Sequence, residues 1–142
     1  MALPEPEPGL VISYAYLWHH EHQSGRDEGR KDRPCVIVVA VESTSDGATV
    51  VTVAPITHRP PDDAAAAVEI PSAVKERLGL DLDRSWVVVN EGNKFVWPGF
   101  DLRKVPETGR FEYGFLPPRF FNEVLAGFRS WRLKRKGQLT AR

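Results

Sequence analysis

The stretch Pro34-Cys-Val-Ile-Val-Val-Ala-Val41 constrains the fold more than any other part of this chain. It is apolar without interruption, of strand length, and too short for a typical buried helix. Its valines and isoleucine favour extended backbone, where a branched side chain packs well on a pleated surface. An unbroken apolar strand implies burial on both faces, and so a sheet covered on each side.

A partner for this run follows at once. Asp46-Gly47 tolerates positive φ and marks a hairpin leading into Thr49-Val-Val-Thr-Val-Ala-Pro55. Upstream, Leu10 to Trp18 reads as the first strand, and His19 to Asp32, with Gly25 and Gly29, as a mobile polar loop. Downstream, Thr57 to Asp63 reads as a loop around Arg59-Pro60-Pro61, and Val68-Glu-Ile70 as a short strand. Ser72 is a candidate cap for a brief helix, Ala73 to Leu78, which Gly79 stops. Ser85 to Asn90 predicts another strand, Glu91-Gly92-Asn93 a turn, and Lys94 to Trp97 a return. Phe121, Val124, Leu125 and Phe128 follow the spacing of one buried helical face, which Trp131 extends. Five or six short strands and one terminal helix predict a mainly β fold. The expected form is a small, strongly bent sheet or partly open barrel, with the helix over an open face or end.

The length, 142 residues, suits one domain with one core, and 42% hydrophobic with 27% charged residues suits a soluble globular protein. There is no apolar run of membrane-spanning length. The start, Met1 to Gly9, is acidic and proline-rich, unlike a secretory signal. The single cysteine, Cys35, forms no internal disulfide and belongs to no zinc-type spacing. A cytoplasmic location is therefore expected.

Net charge is zero, with 19 basic and 19 acidic residues, which argues against a general polyanion binder. The distribution is uneven: six basic residues and no acid lie between Arg129 and Arg142. This stretch reads either as a solvated, partly disordered end or as an auxiliary contact to phosphate or a partner. The expected organisation is a domain over residues 8–131, a proline-rich extension over 1–7 and a basic tail over 132–142.

Several motifs, in order, carry a resemblance. Pro8-Gly9 runs directly into Val11-Ile-Ser-Tyr14; Gly29-Arg-Lys-Asp-Arg-Pro34 precedes the strand from Cys35 to Val41; then come Val53-Ala-Pro-Ile-Thr57, Gly79-Leu80, Ser85-Trp-Val-Val-Val, and Phe115-Leu116 before the terminal helix. In this order the chain resembles the MazF/PemK family of toxins from type II toxin–antitoxin systems. The resemblance implies a small SH3-like barrel with a short helix and a C-terminal helix. It also implies a homodimer and a cognate antitoxin that lays a disordered acidic segment across the toxin groove. The activity it implies is metal-independent cleavage of single-stranded RNA (mRNA), with no cofactor.

The family's catalytic roles carry over to Arg33 and Thr57. RNA supplies its own nucleophile, the ribose 2′-hydroxyl, so the protein must position the chain and stabilise charge on phosphorus. Arginine is permanently charged and forks onto phosphate oxygens, so Arg33 is the candidate for transition-state stabilisation. Thr57 would donate a hydroxyl hydrogen bond to the same phosphate. Without the resemblance, Arg33 reads first as an exposed residue leading into a strand and Thr57 as a turn residue.

Lys31, His58, Arg59, Glu91 and Asn93 are candidate RNA contacts. Lys31 and Arg59 would attract phosphate, His58 is a candidate proton carrier, and Glu91 and Asn93 would read base edges. Each reads otherwise as ordinary loop or turn polarity. His19, His20 and His22 read as a solvated loop, an RNA contact or a metal site. In an extended segment only His20 and His22 share a face, and no fixed carboxylate completes a ligand set, so no metal site is expected.

Two departures from the family pattern matter. The loop before Arg33 is longer and more charged than usual. Val88 and Asn90 also fall roughly where some members carry an Arg and an Asp. Two alternatives follow: a non-catalytic binding barrel, as in a related branch that inhibits DNA gyrase by binding, and a metal-dependent hydrolase using the histidines.

Overall fold

The apolar run forms the first part of strand β2 (Arg33–Glu42), in a computed structural model that describes residues 3–23, 31–43, 45–134 and 138–142. Cys35, Val36, Ile37 and Val38 are buried on alternate faces, whereas Val39 and Val41 are 37% and 58% exposed. The run therefore outlasts the cover on the sheet. Around β2, strands β1 (Leu10–Tyr14), β3 (Thr49–Thr57), β4 (Ala67–Glu69), β5 (Trp86–Val88), β6 (Glu91–Val96), β7 (Glu112–Phe115) and β8 (Gln138–Ala141) make one 8-stranded sheet. Its main path runs β4-β5-β3-β2-β1-β7 and does not close on itself.

The bend comes from β3. It pairs with β2 along one edge and divides the other between two partners: β6 against Val50 to Val53, and β5 against Ile56 and Thr57. A strand that serves two partners in succession makes them diverge. A register shift in β2 between Ile37 and Val39 adds the local twist of a bulge. The Asp46-Gly47 hairpin forms as the sequence predicts, with Gly47 at φ 74°.

Two cores result, one on each face. Val11, Val36, Ala54, Ile56 and Val87 face three helix residues, Phe120, Val124 and Phe128 of α3 (Pro118–Leu133), and also Val74 and Leu78 of α2 (Ser72–Leu78). On the other face, Ile12, Tyr14, Tyr16, Cys35, Ile37, Val51, Val53 and Phe95 pack together, with the Tyr14 and Phe95 rings stacked at 4.7 Å. Each fully buried side chain of this kind contributes about 1.5–3 kcal/mol.

Several local elements differ from those the sequence predicts. Ser72 is the first helical residue and makes no cap; Pro71 precedes it, and Gly79 ends α2 in the left-handed region as expected. Glu91-Gly92-Asn93 is not a turn but the first half of β6. His19–Gln23 is a short helix, α1, rather than loop, and the expected loop's residues 24–30 lie outside those described. Residues 138–141 of the basic stretch form β8, parallel to β6, and the Arg142 side chain is only 4% exposed against Asp101.

Candidate functional site

The start of β2 and the end of β3 meet at one end of the sheet. Their antiparallel register, Cys35 opposite Pro55 and Ile37 opposite Val53, sets Arg33 opposite Thr57 when extended by two residues. Alternation along both strands puts these two side chains on the same face. Both line a cleft of about 640 Å³. The segment after β1, the loop that follows β3 and the junction of β5 with β6 supply the remaining walls.

Arg33 is held from two sides. Its guanidinium lies over the Trp18 ring, 4.9 Å from the centroid, and Nη1 donates to the carbonyl of Ile56 at 3.4 Å. Its Nε–H is buried and meets no acceptor among the described residues. A buried donor without a partner costs free energy unless something supplies an acceptor. The Thr57 oxygen accepts from the backbone N–H of Arg59 at 3.2 Å, so its own hydroxyl proton remains available to donate.

The aromatic wall is built by Tyr16 and Trp18, which continue beyond β1 the alternation that buries Tyr14 in the core. Tyr16 and Trp18 meet edge-to-face at 5.1 Å, and His20 stacks on Trp18 at 6.4 Å. The Tyr16 hydroxyl donates to Glu91 Oε1 at 3.0 Å, and the backbone N–H of His19 donates to the same oxygen at 3.0 Å. Burial, with the neighbouring Glu91 charge, pushes the Tyr16 phenol well above its ordinary pKa. It is a permanent donor. Tyr16 and Trp18 were not among the candidates read from sequence, although their spacing of two along an apolar segment is the signal that places them on the face of Ile12 and Tyr14.

Lys31, Arg59 and Glu91 line the same cleft, as do the acids Glu21, Asp62 and Asp63. Cations and carboxylates thus share the walls. Asp63 caps a 3-10 turn by accepting from Ala65 N–H at 2.9 Å, which gives that acid a structural task.

His58 and Asn93 lie elsewhere. His58 follows Thr57 directly but pairs outside the cleft with Asp81, at 2.6 Å. Asn93 is fully buried: its side chain bonds both the N–H and the carbonyl of Leu17 and also receives Arg142. An amide so engaged is not available to read a base. Among the described residues, His58, Asp81 and Asp83 are the one group that brings three metal-type donor atoms within 4.8 Å, and all three are exposed. The buried Lys75 ammonium already donates to Asp81 Oδ1 and to the backbone carbonyl of Asp83, so a cation stands against this cluster. The side chain of His22 lies outside the described residues.

Among the described residues no helix is long and apolar enough to cross a membrane. Neither the curated proteins nor the solved structures gave a match. The model of one family, PemK-like, MazF-like toxins of type II toxin–antitoxin systems, matches residues 16–93. That span begins at Tyr16 and contains every residue lining the cleft.

Proposed function

Because the chain belongs to the family of PemK-like, MazF-like toxins of type II toxin–antitoxin systems, matched over more than half its length, we propose that it is an endoribonuclease that cleaves single-stranded RNA without a metal ion. The observation that carries this reading is the placement of Arg33: it stands on the wall of an open cleft, opposite Thr57, and its buried Nε–H meets no acceptor among the described residues. A phosphate entering the cleft supplies acceptors for this cation. Arg33 then forks onto the scissile phosphate and stabilises the charge that builds on it, and Thr57 donates its hydroxyl from the opposite strand. Lys31 and Arg59 draw the backbone in, and Trp18 offers an apolar face beside the phosphate site.

Membership also implies an antitoxin partner. The substrate groove is where an antitoxin segment would block activity, and the cations Lys31, Arg33 and Arg59 suit an acidic one. A homodimer is part of the same reading. Val41, Val50 and Val96 are neighbours across three strands, and Val41 and Val96 are more than half exposed, a short apolar row suited to burial against a second copy.

Binding without cleavage is the competing reading. It rests on Val88 and Asn90, which stand in the cleft where some family members carry charge. A single substitution in the substrate separates the two. RNA with one 2′-deoxynucleotide at the scissile position keeps its phosphates but loses the nucleophile. The nuclease reading expects that RNA to bind and stay intact while the all-ribose parent is cut. Binding of both with cleavage of neither would favour the competing reading.

A further inference from the structure

Resting on the ribonuclease reading above, we propose that Glu91 is the general base that takes the proton from the attacking 2′-hydroxyl. Glu91 is the first residue of β6 and stands on the cleft wall. One of its oxygens, Oε1, is fixed by two donors at 3.0 Å, the Tyr16 hydroxyl and the His19 backbone N–H. No donor among the described residues engages the other oxygen, Oε2. A carboxylate offers about four lone-pair sites, so two anchors on one oxygen set its orientation and leave the other able to accept a proton.

Glu91 is also linked to the phosphate site by direct ring contacts. Its partner Tyr16 meets Trp18 at 5.1 Å, and Trp18 carries the Arg33 guanidinium at 4.9 Å. The base and the anion-stabilising cation are thus positioned by the same two aromatic rings. An unneutralised carboxylate beside an RNA backbone weakens binding by repulsion. Of the acids on these walls, Glu91 is the one oriented by Tyr16, a ring in contact with the Trp18 platform of Arg33.

The 2′-hydroxyl proton passes to Glu91 Oε2, the O2′–P bond forms, and the P–O5′ bond breaks. The departing 5′-oxygen takes a proton from water, leaving a 2′,3′-cyclic phosphate and a 5′-hydroxyl. Glu91 returns its proton to solvent.

The test is Glu91→Gln in the full-length protein, since glutamine keeps an acceptor oxygen for Tyr16 and His19. The expected result is a fall in kcat of about 100-fold or more with KM little changed. Affinity for RNA carrying a 2′-deoxy scissile nucleotide should be unchanged. The acid limb of the pH–rate profile should also vanish. The other titratable groups facing the cleft, His20, Glu21, Asp62, Asp63 and Tyr16, remain in the variant, so a limb belonging to any of them would persist. Glu91→Asp, which keeps the carboxylate, should recover part of the rate. Replacing the 5′-oxygen by sulfur, which removes the need for an acid at the leaving group, should leave the defect of Glu91→Gln in place. Cleavage by Glu91→Gln within about threefold of wild type would overturn the proposal. So would a loss of RNA affinity that accounts for the whole defect, because Glu91 would then be a base-reading contact. Failure of the wild type to cut any RNA would overturn the nuclease reading, and this one with it.

Discussion

The guanidinium of Arg33 stacks on the indole of Trp18, 4.9 Å from the ring centroid, while Nη1 reaches back to the carbonyl of Ile56. The ring and the carbonyl together restrict where this cation can go. Catalysis by a preplaced charge depends on that restriction, because a charge that must find its position loses its advantage over water. Trp18→Ala should therefore lower the cleavage rate by about 100-fold, the scale of a small misplacement of a catalytic group. Single-turnover cleavage at saturating RNA measures this, and an unchanged rate would show that Arg33 needs no platform.

Asn93 separates architecture from chemistry. Its amide bridges Leu17 N–H and Leu17 carbonyl and meets Arg142, all in the interior. Asn93→Ala strands these groups and should destabilise the protein by about 2–3 kcal/mol. Urea unfolding reads the loss. Among molecules that remain folded, RNA affinity should be that of the wild type.

Gly92 is required by space rather than by backbone angle. A Cβ there would sit 2.8 Å from the Val53 carbonyl oxygen and 3.2 Å from a Leu139 methyl. Val53 lies in the central strand and cannot retreat without breaking its pairing. Gly92→Ala should cost about 1–3 kcal/mol, the range for overpacking a closed site. A midpoint equal to wild type in thermal unfolding would contradict this close approach.

Asp81 gives a pH-dependent contribution. Partial burial pushes its carboxyl pKa up, but hydrogen bonds from Lys75 and His58 more than offset this and hold it below the ordinary value. A carboxyl whose folded pKa is lowered stabilises the protein above its unfolded pKa, and that stability is lost as pH falls through the folded value. Stability should thus fall below the ordinary carboxylate range. Asp81→Asn should show a shallower fall there, as urea midpoints measured from neutral into acid conditions will reveal. Its side chain is about half exposed, so the effect should be small.

Local chemistry made much of this fold legible. The run from Cys35 to Val41, the Asp46-Gly47 turn, the helix that Gly79 stops and the face of Val124 and Phe128 each declare themselves through propensity or period. What escaped depends on distant partners. Glu91-Gly92-Asn93 has turn composition, yet Gly92 is set by the Val53 carbonyl and Asn93 by Leu17, so tertiary contact overrides local preference. β7 is four residues containing a glycine, and its pairing partner β1 lies about a hundred residues earlier. β8 lies in a stretch that composition marks as a solvated end. Its parallel pairing with β6 and the burial of Arg142 against Asp101 become visible only in three dimensions. In the site, the meeting of Arg33 with Thr57 follows from hairpin register alone. That His58 turns to Asp81 does not, because nothing near His58 in sequence announces a partner 23 residues away.

On the proposed reading, Arg33 makes this cleft an RNA-cleaving site without a metal. The most direct test is cleavage of a varied single-stranded RNA pool in excess EDTA, wild type beside Arg33→Ala, with both folds checked by circular dichroism. The wild type should leave 2′,3′-cyclic phosphate or 3′-phosphate ends, and the variant should cut about 100–1,000-fold or more slowly. Equal cutting by a folded Arg33→Ala protein, or cutting that EDTA abolishes, would contradict it.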